Sequence, residues 1–321
     1  MRLSGITPSG HTHLGNYLGA VQRWASGRGP DDLYFVSDLH AMTTTHNPAR
    51  LRARTSEVLA ILVASGIPSE RLFVQSDLSR ELGALTWILE CTCSYGEAAR
   101  MIQFKEKGSG QPGVRLSLLT YPVLMAADIL LQGAAEVPVG EDQNQHVELA
   151  RALARRFNGT YGEVFTVPRA VLPPAGARIR DLGDPASKMS KSTPDAAGVV
   201  FVLDEPDLIR RKVRRAVTDG FTGVEYEPAD RPGVANLLEI LAGCRGGHPA
   251  DLAAEFSSYG ALKEAVAEAV IEVLRPIRER TVELLDDPGE LARIRKAGAA
   301  RAAERGEHRL TSAMRLIGAG A

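Results

Sequence analysis

The chain has 321 residues, 44% of them hydrophobic, and its 38 basic and 39 acidic residues leave a net charge of −1. That length suggests two domains with enough apolar content for a sizeable core, and the near-cancelled charge excludes a global positive field, so any RNA contact rests on local patches. No apolar run is long enough to span a bilayer, no signal-peptide pattern opens the chain, and Cys91, Cys93 and Cys244 are too few and too badly spaced for a disulfide framework or a structural metal, so they read as reduced cytosolic thiols.

Strand and helix signals alternate through the N-terminal part, which predicts an α/β class with a parallel sheet covered by helices. A short apolar run, Leu3-Ser4-Gly5-Ile6, precedes a helix from about Asn16. Leu33-Tyr34-Phe35-Val36 is a buried-strand run, followed by a helix over 48–64 that Gly66 ends. Leu72-Phe73-Val74-Gln75 reads as a third strand, with helices over 79–91, 97–104 and 117–132 behind it. Glu136-Val137-Pro138-Val139 is another strand, and the helix opened by Gly140-Glu141-Asp142-Gln143 runs to about Arg156. Short extended pieces are expected at 165–168 and 177–179. Beyond Asp204 strand signals vanish, and helical periodicity covers 205–217, 233–244, 260–285, 288–304 and 308–317. The change of character places a domain boundary near residue 193.

Several strings on this frame carry chemistry. His13-Leu14-Gly15-Asn16 sits at a strand–turn–helix junction, where free backbone N–H groups and the positive dipole end attract phosphate. Gly10 and Gly15 clear space for a nucleotide beside the backbone, and His13 and Asn16 offer donors to phosphate or ribose. Taken alone, the segment favours an ordinary turn with a surface histidine. Lys188-Met189-Ser190-Lys191-Ser192 puts two cations three residues apart in a Gly/Pro/Asp/Ser-rich loop, suited to closing on a polyphosphate.

If Tyr121-Pro122-Val123-Leu124-Met125-Ala126-Ala127-Asp128 is helical, Tyr121, Met125 and Asp128 share one side. A carboxylate among apolar neighbours is costly unless hydrogen-bonded, and an indole N–H is an apt donor. The plain alternative is a buried aspartate capping a loop. Asp142 suits ribose hydroxyls and Gln143 suits orienting an amino acid, while Gly140, Glu141 and Asp142 serve equally well as a helix cap. His146 reads as structural support. Lys107, in a charged glycine-rich loop, is either a mobile pyrophosphate ligand or a solvated lysine. Arg210, Arg211, Lys212, Arg214 and Arg215 crowd one helix whose inward face is Ile209, Val213 and Ala216. That stripe is either a solvated face or a contact for RNA phosphates.

The order and separation of the two signature strings resemble class I aminoacyl-tRNA synthetases. End to end the chain resembles the bacterial tryptophanyl branch, through Ser4-Gly5-Ile6, Gly15-Asn16-Tyr17, Gln103-Phe104-Lys105-Glu106-Lys107, Met125-Ala126-Ala127-Asp128, Val139-Gly140-Glu141-Asp142-Gln143 and the lysine loop. The tyrosyl branch has Gln where Met125 stands, so Met125 with Asp128 favours indole over phenol. The resemblance implies a Rossmann-type catalytic domain over 1–192 and a helical anticodon-binding domain over 193–321 whose last helices return toward it. It implies ATP contacts from Thr7, Pro8, Ser9, Gly15, Asn16, Gly140, Glu141, Asp142, Ile179 and Lys188 through Ser192, including Met189, Ser190 and Lys191. Lys107, Lys188 and Lys191, with His13 and Asn16, are the implied catalytic set. Asp128, Tyr121, Met125, Gln143 and His40 are the implied tryptophan contacts. The implied partners are ATP with Mg²⁺ as a substrate complex, L-tryptophan, tRNA(Trp) and a second copy of the chain in a cytoplasmic homodimer, with no protein-bound metal and no membrane. Four residues depart from the branch: Leu3 replaces a larger aromatic, Thr7 a Gln, His13 a Thr, and Arg180 an apolar residue. They touch the nucleotide and indole neighbourhoods and so bear on nucleotide affinity and on sensitivity to tryptophan-mimicking inhibitors.

Overall fold

The computed structural model describes residues 1–26, 29–108, 113–172, 179–190 and 196–319, so Lys191 and Ser192 lie outside the described residues, as do the side chains of Lys107 and Glu141. Strand β1 (Leu3–Ile6) leads into the short α1 (Leu14–Asn16), a π-helical turn at Tyr17–Val21, and α2 (Gln22–Ala25). Then come β2 (Leu33–Val36), α3 (Pro48–Ala64), β3 (Leu72–Val74), α4 (Ser79–Thr92), α5 (Tyr95–Ala99), α6 (Ile102–Gly108) and α7 (Ser117–Gln132). The remainder is β4 (Glu136–Pro138), α8 (Asn144–Tyr161), β5 (Arg169–Val171), and then, among the described residues, helices with only isolated β-bridges besides. The helices are α9 (Pro206–Arg214), α10 (Pro232–Arg245), α11 (Pro249–Ala253), α12 (Tyr259–Asp286) and α13 (Pro288–Leu316).

The named strands pair in parallel: β1 with β2 (Leu3↔Leu33), β2 with β3 (Tyr34↔Leu72) and β4 with β5 (Glu136↔Arg169). A single parallel bridge, Arg2↔Glu136, joins the two groups into the spatial order β3-β2-β1-β4-β5. The chain winds outward one way from β1 to β3 and the other way from β4 to β5. In open α/β sheets ligands bind beyond the strand C-termini at such a reversal, here between β1 and β4. The all-apolar β2 has every residue buried, as a strand covered on both faces requires.

Helix termini follow local chemistry. Asn47 caps α3 by accepting the Arg50 N–H, with Pro48 in the first turn, and Gly133 closes α7 at φ +66°. Three expectations are corrected. The extended piece expected at 165–168 pairs instead at Arg169–Val171. The Asn158 side chain claims the N–H groups of Val164 and Phe165 and the Phe165 carbonyl, and Pro168 has no N–H to give. The helix expected over 97–104 is two short ones, α5 and α6. The two last helices are one, α13, because its glycines are packing sites and do not break the helix. A Cβ on Gly298 would lie 1.8 Å from the Leu72 carbonyl oxygen, and one on Gly306 2.8 Å from Leu131.

Two apolar clusters flank the sheet. On one face α4, α7 and α8 pack with Phe35, Phe73 and the Ala302 and Ala313 of α13. On the other, Leu14, Val36 and Val58 share a continuous cluster with Val200, Ile209, Leu237, Val266 and Leu274. One core therefore runs across the division expected near residue 193. The C-terminal half of α13 crosses to the first face, where Arg305 and Arg309 donate to the Gln132 and Leu131 carbonyls at the end of α7.

Candidate active site

A cavity of about 460 Å³ opens beside the C-terminal ends of β1 and β4. Its walls include Leu3, Phe35, Ile129 and Met125, with Thr7 and Ser9 from the opening turn and Gln143 from the opposite side. Asp128 sits in this lining and is 2% exposed. Helical register brings Tyr121, Met125 and Asp128 to this one cavity, as expected from their spacing. His40 Nε2 lies 3.0 Å from Asp128 Oδ2. Gln75 Nε2 donates to both carboxylate oxygens, at 3.0 and 2.8 Å. The Gln75 carbonyl accepts the Leu39 N–H at 3.0 Å, so the amide cannot rotate without losing bonds on both sides. Burial pushes the Asp128 carboxyl above the usual carboxylate range, opposed by these donors. Carboxylate oxygens have about four lone-pair sites, so capacity remains for one more donor from the cavity.

The polar end of the cavity is a relay. Tyr121 Oη lies 2.9 Å from His146 Nε2, and His146 Nδ1 lies 2.8 Å from Gln143 Oε1. Burial drives the His146 pKa down to about 4, so the ring is neutral at ordinary pH and has one donor and one acceptor. A carbonyl oxygen cannot donate, so Nδ1–H faces Gln143 and Nε2 accepts the Tyr121 hydroxyl. The tyrosine and glutamine oxygens each keep lone pairs, which suits a bound ammonium group. The Tyr121 phenol is itself pushed up to about 12, by burial first and the Asp142 charge second, and stays protonated.

The first signature string packs against segments on either side of the second. Residues 12–14 run antiparallel to 200–202: Leu14 N–H donates to the Val200 carbonyl at 2.8 Å and Val202 N–H to the Thr12 carbonyl at 2.9 Å. This second segment lies C-terminal to the lysine loop in the chain. A Cβ on Gly15 would touch Ile179 at 3.6 Å, and Met189 N–H donates to the Ile179 carbonyl at 3.1 Å. Lys188 is exposed, and Met189 is buried at 1% exposure, anchoring the loop in the core. The alternative of a surface histidine is corrected: His13 is buried at 4% exposure, and its Nδ1 accepts the Asn16 N–H while Asn16 Oδ1 accepts the His13 N–H. The pair is a reciprocal cap of α1, which holds the turn in shape.

A sequence model of the family described as tRNA synthetases class I (W and Y) matches residues 2–275. The chain is 52% identical to tryptophan–tRNA ligase 1 of Streptomyces coelicolor over 323 aligned positions, 98% of this chain and 96% of that one. It is 49% identical to the tryptophan–tRNA ligase of Leifsonia xyli, with the same shares of each chain covered. The structure of tryptophanyl-tRNA synthetase from Mycoplasma pneumoniae superposes with a TM-score of 0.87 at 33% identity, covering 99% of this chain and 97% of that one. The Campylobacter jejuni enzyme, complexed with ADP and tryptophan, gives 0.84 at 29% identity, covering 99% and 100%. The chain belongs to this family of class I tRNA synthetases.

The departures of this synthetase from its branch now have places. Leu3, 1% exposed, and Thr7 both line the cavity, and Thr7 Oγ1 lies 2.9 Å from Ser37 Oγ. Arg180 sends its guanidinium to the Pro185 carbonyl at 2.9 Å, bracing the hairpin that carries Lys188. The basic stripe on α9 needs correction. Lys212 is 8% exposed, bonded to the Val199 carbonyl and Asp204 Oδ2 at 2.7 Å each, and Arg210 is engaged by Glu268 and Asp207. Arg211, Arg214 and Arg215 remain exposed. Gln75 is the residue that sequence reading passed over: a polar side chain closing a buried strand was its one signal. Among the described residues, no group of three His, Cys, Asp or Glu side chains is placed to hold a metal, and no helix is long and apolar enough to cross a membrane.

Proposed function

We propose that this synthetase is a tryptophan–tRNA ligase: it activates L-tryptophan with ATP to tryptophanyl-adenylate and pyrophosphate, then transfers tryptophan to the 3′ end of tRNA(Trp). The observation that carries the reading is the buried Asp128 carboxylate, braced by Gln75 and His40 and lining a cavity walled in part by Leu3, Phe35, Met125 and Ile129. An indole fills such a cavity, and its N–H supplies the one donor the carboxylate still has room for. Tyr121 and Gln143 take the α-ammonium group. This leaves the substrate carboxylate toward the opening turn, where Thr7, Pro8, Ser9, Gly15, Asn16, Gly140, Glu141, Asp142, Ile179 and the lysine segment receive ATP.

The tryptophan carboxylate oxygen forms a bond to the α-phosphorus as the bond from that phosphorus to the pyrophosphate oxygen breaks. The nucleophile is already an anion, so the step needs no general base. What it needs is alignment and positive charge where the leaving oxygens gain negative charge. Lys107, Lys188 and Lys191 supply that charge, and Mg²⁺ arriving with ATP adds its own on the phosphate oxygens. Residues 193–321 receive the anticodon, with Arg211, Arg214 and Arg215 as phosphate contacts. The protein acts as a cytoplasmic homodimer. Supporting a dimer, Trp87, Tyr95 and Leu116 are 67%, 75% and 73% exposed on and beside helices that pack around α7.

Amino-acid-dependent ATP–pyrophosphate exchange tests the reading. Tryptophan drives exchange, and tyrosine does not. Exchange driven by tyrosine, or tryptophan binding without any exchange, contradicts it.

A further inference from the structure

The hairpin that presents Lys188 is a short two-stranded piece. Arg180 and Lys188 face each other across an antiparallel bridge. The hydrogen bonds that close the ladder lie on either side of this pair, Met189 N–H to the Ile179 carbonyl at 3.1 Å and Asp181 N–H to the Ser187 carbonyl at 3.0 Å. The N–H and C=O of Arg180 therefore point away from Lys188, toward where a third strand would lie. No strand is there. Asn236, on α10, takes its place: its Oδ1 accepts the Arg180 N–H at 2.8 Å and its Nδ2 donates to the Arg180 carbonyl at 3.1 Å.

One side-chain amide thus makes both bonds of a missing strand neighbour. Asn236 is 2% exposed, between Ala235 and Leu237, which are 2% and 0% exposed, so its position is fixed by the helical core. A two-stranded hairpin by itself is marginally stable in water, and its position would fluctuate. Its tip is tied down through Leu182, whose N–H donates to the Gly198 carbonyl at 2.9 Å and whose carbonyl accepts the Val217 N–H at 2.7 Å, and is shaped by an Asx turn in which Asp181 Oδ1 accepts the Gly183 N–H at 2.8 Å. Asn236 adds the tie at the Arg180–Lys188 pair itself, and does so from outside the amino-acid cavity.

We propose that Asn236 is a positioning residue for adenylate formation, holding Arg180 and, across the bridge, Lys188 in place over the triphosphate. The inference rests on the reading that Lys188 meets ATP. Loss of a few tenths of an ångström to 1 Å in the placement of such a group costs up to about 10²-fold in rate.

The test is a double-mutant cycle in tryptophan-dependent ATP–pyrophosphate exchange, with wild type, Asn236→Ala, Lys188→Ala and the double variant, each checked by thermal melting. Asn236→Ala lowers kcat by about 10- to 10²-fold and changes the KM for tryptophan by less than about twofold. In the Lys188→Ala background the same change costs less than about twofold, because the two residues act on one interaction. Should Asn236→Ala unfold at the assay temperature, Asn236→Asp serves. It keeps the acceptor for the Arg180 N–H and lacks the donor, and the same non-additivity is expected. Equal losses in both backgrounds, a loss confined to the tryptophan KM, or full kcat in a folded variant overturns the role of Asn236 alone. A wild type without tryptophan-dependent exchange overturns the proposed function, and this inference with it.

Discussion

Gln75 Nε2 spans both carboxylate oxygens of Asp128, at 3.0 and 2.8 Å, and Gln75 itself has no exposed surface. Its carbonyl is meanwhile held by the N–H groups of Leu39 and His40, so one amide joins the end of β3, the turn after β2 and the floor of the cavity. Gln75→Leu leaves those N–H groups and the carboxylate without their partner. The expected cost is about 1–3 kcal/mol of stability, with a raised KM for tryptophan because the Asp128 carboxyl then resists ionisation more strongly. Urea unfolding and exchange kinetics check both halves.

The neutral His146 ring gives a pH signature. In the native protein it stays uncharged down to about 4, whereas its ordinary value is 6.5, reached in the unfolded chain. Between those values the unfolded state binds more protons, so this residue's contribution to stability falls as pH drops from 6.5 toward 4. Below that both states are charged and the dependence ends. The full gap is worth about 3 kcal/mol. The stability of wild type relative to His146→Gln therefore shrinks by about that amount between pH 7 and pH 4, measured by denaturant unfolding at each pH. A difference that stays flat contradicts a neutral relay.

Much of this arrangement was readable in the residues. The apolar runs and their turns locate β1 to β4, and the spacing of Tyr121, Met125 and Asp128 puts all three in one cavity because a helix repeats its faces. What stayed hidden was long-range and polar. Nothing local says that Gln75 points at Asp128, or that Asn236 stands in for a strand beside Arg180. Nor does the string around His13 reveal that its imidazole caps a helix from a buried position. The last helix is one where two were expected: Gly306 falls in the gap between them, and Leu131 of α7 packs against it.

The docking of α13 on the sheet supplies a graded prediction. A methyl group at position 298 meets the Leu72 carbonyl oxygen at 1.8 Å, a backbone atom that cannot step aside. At position 306 it meets the tip of the Leu131 side chain at 2.8 Å, which can change rotamer. Gly298→Ala is expected to destabilise by about 1–3 kcal/mol or more, and Gly306→Ala by clearly less. Thermal melts of the two variants separate them, and equal effects would mean that α13 does not lie tightly along β3.

Specificity in the cavity comes down to one carboxylate. A site that pairs with a buried donor rejects analogues lacking it by about 10⁴–10⁵, tyrosine activation by the related branch being the model case for that figure. Phenylalanine lacks the indole N–H. The deciding measurement is kcat/KM for tryptophan against phenylalanine in exchange, for the wild type and Asp128→Ala. The ratio is expected to collapse by at least about 10² in the variant, while an unchanged ratio in a folded Asp128→Ala protein would contradict indole recognition by Asp128.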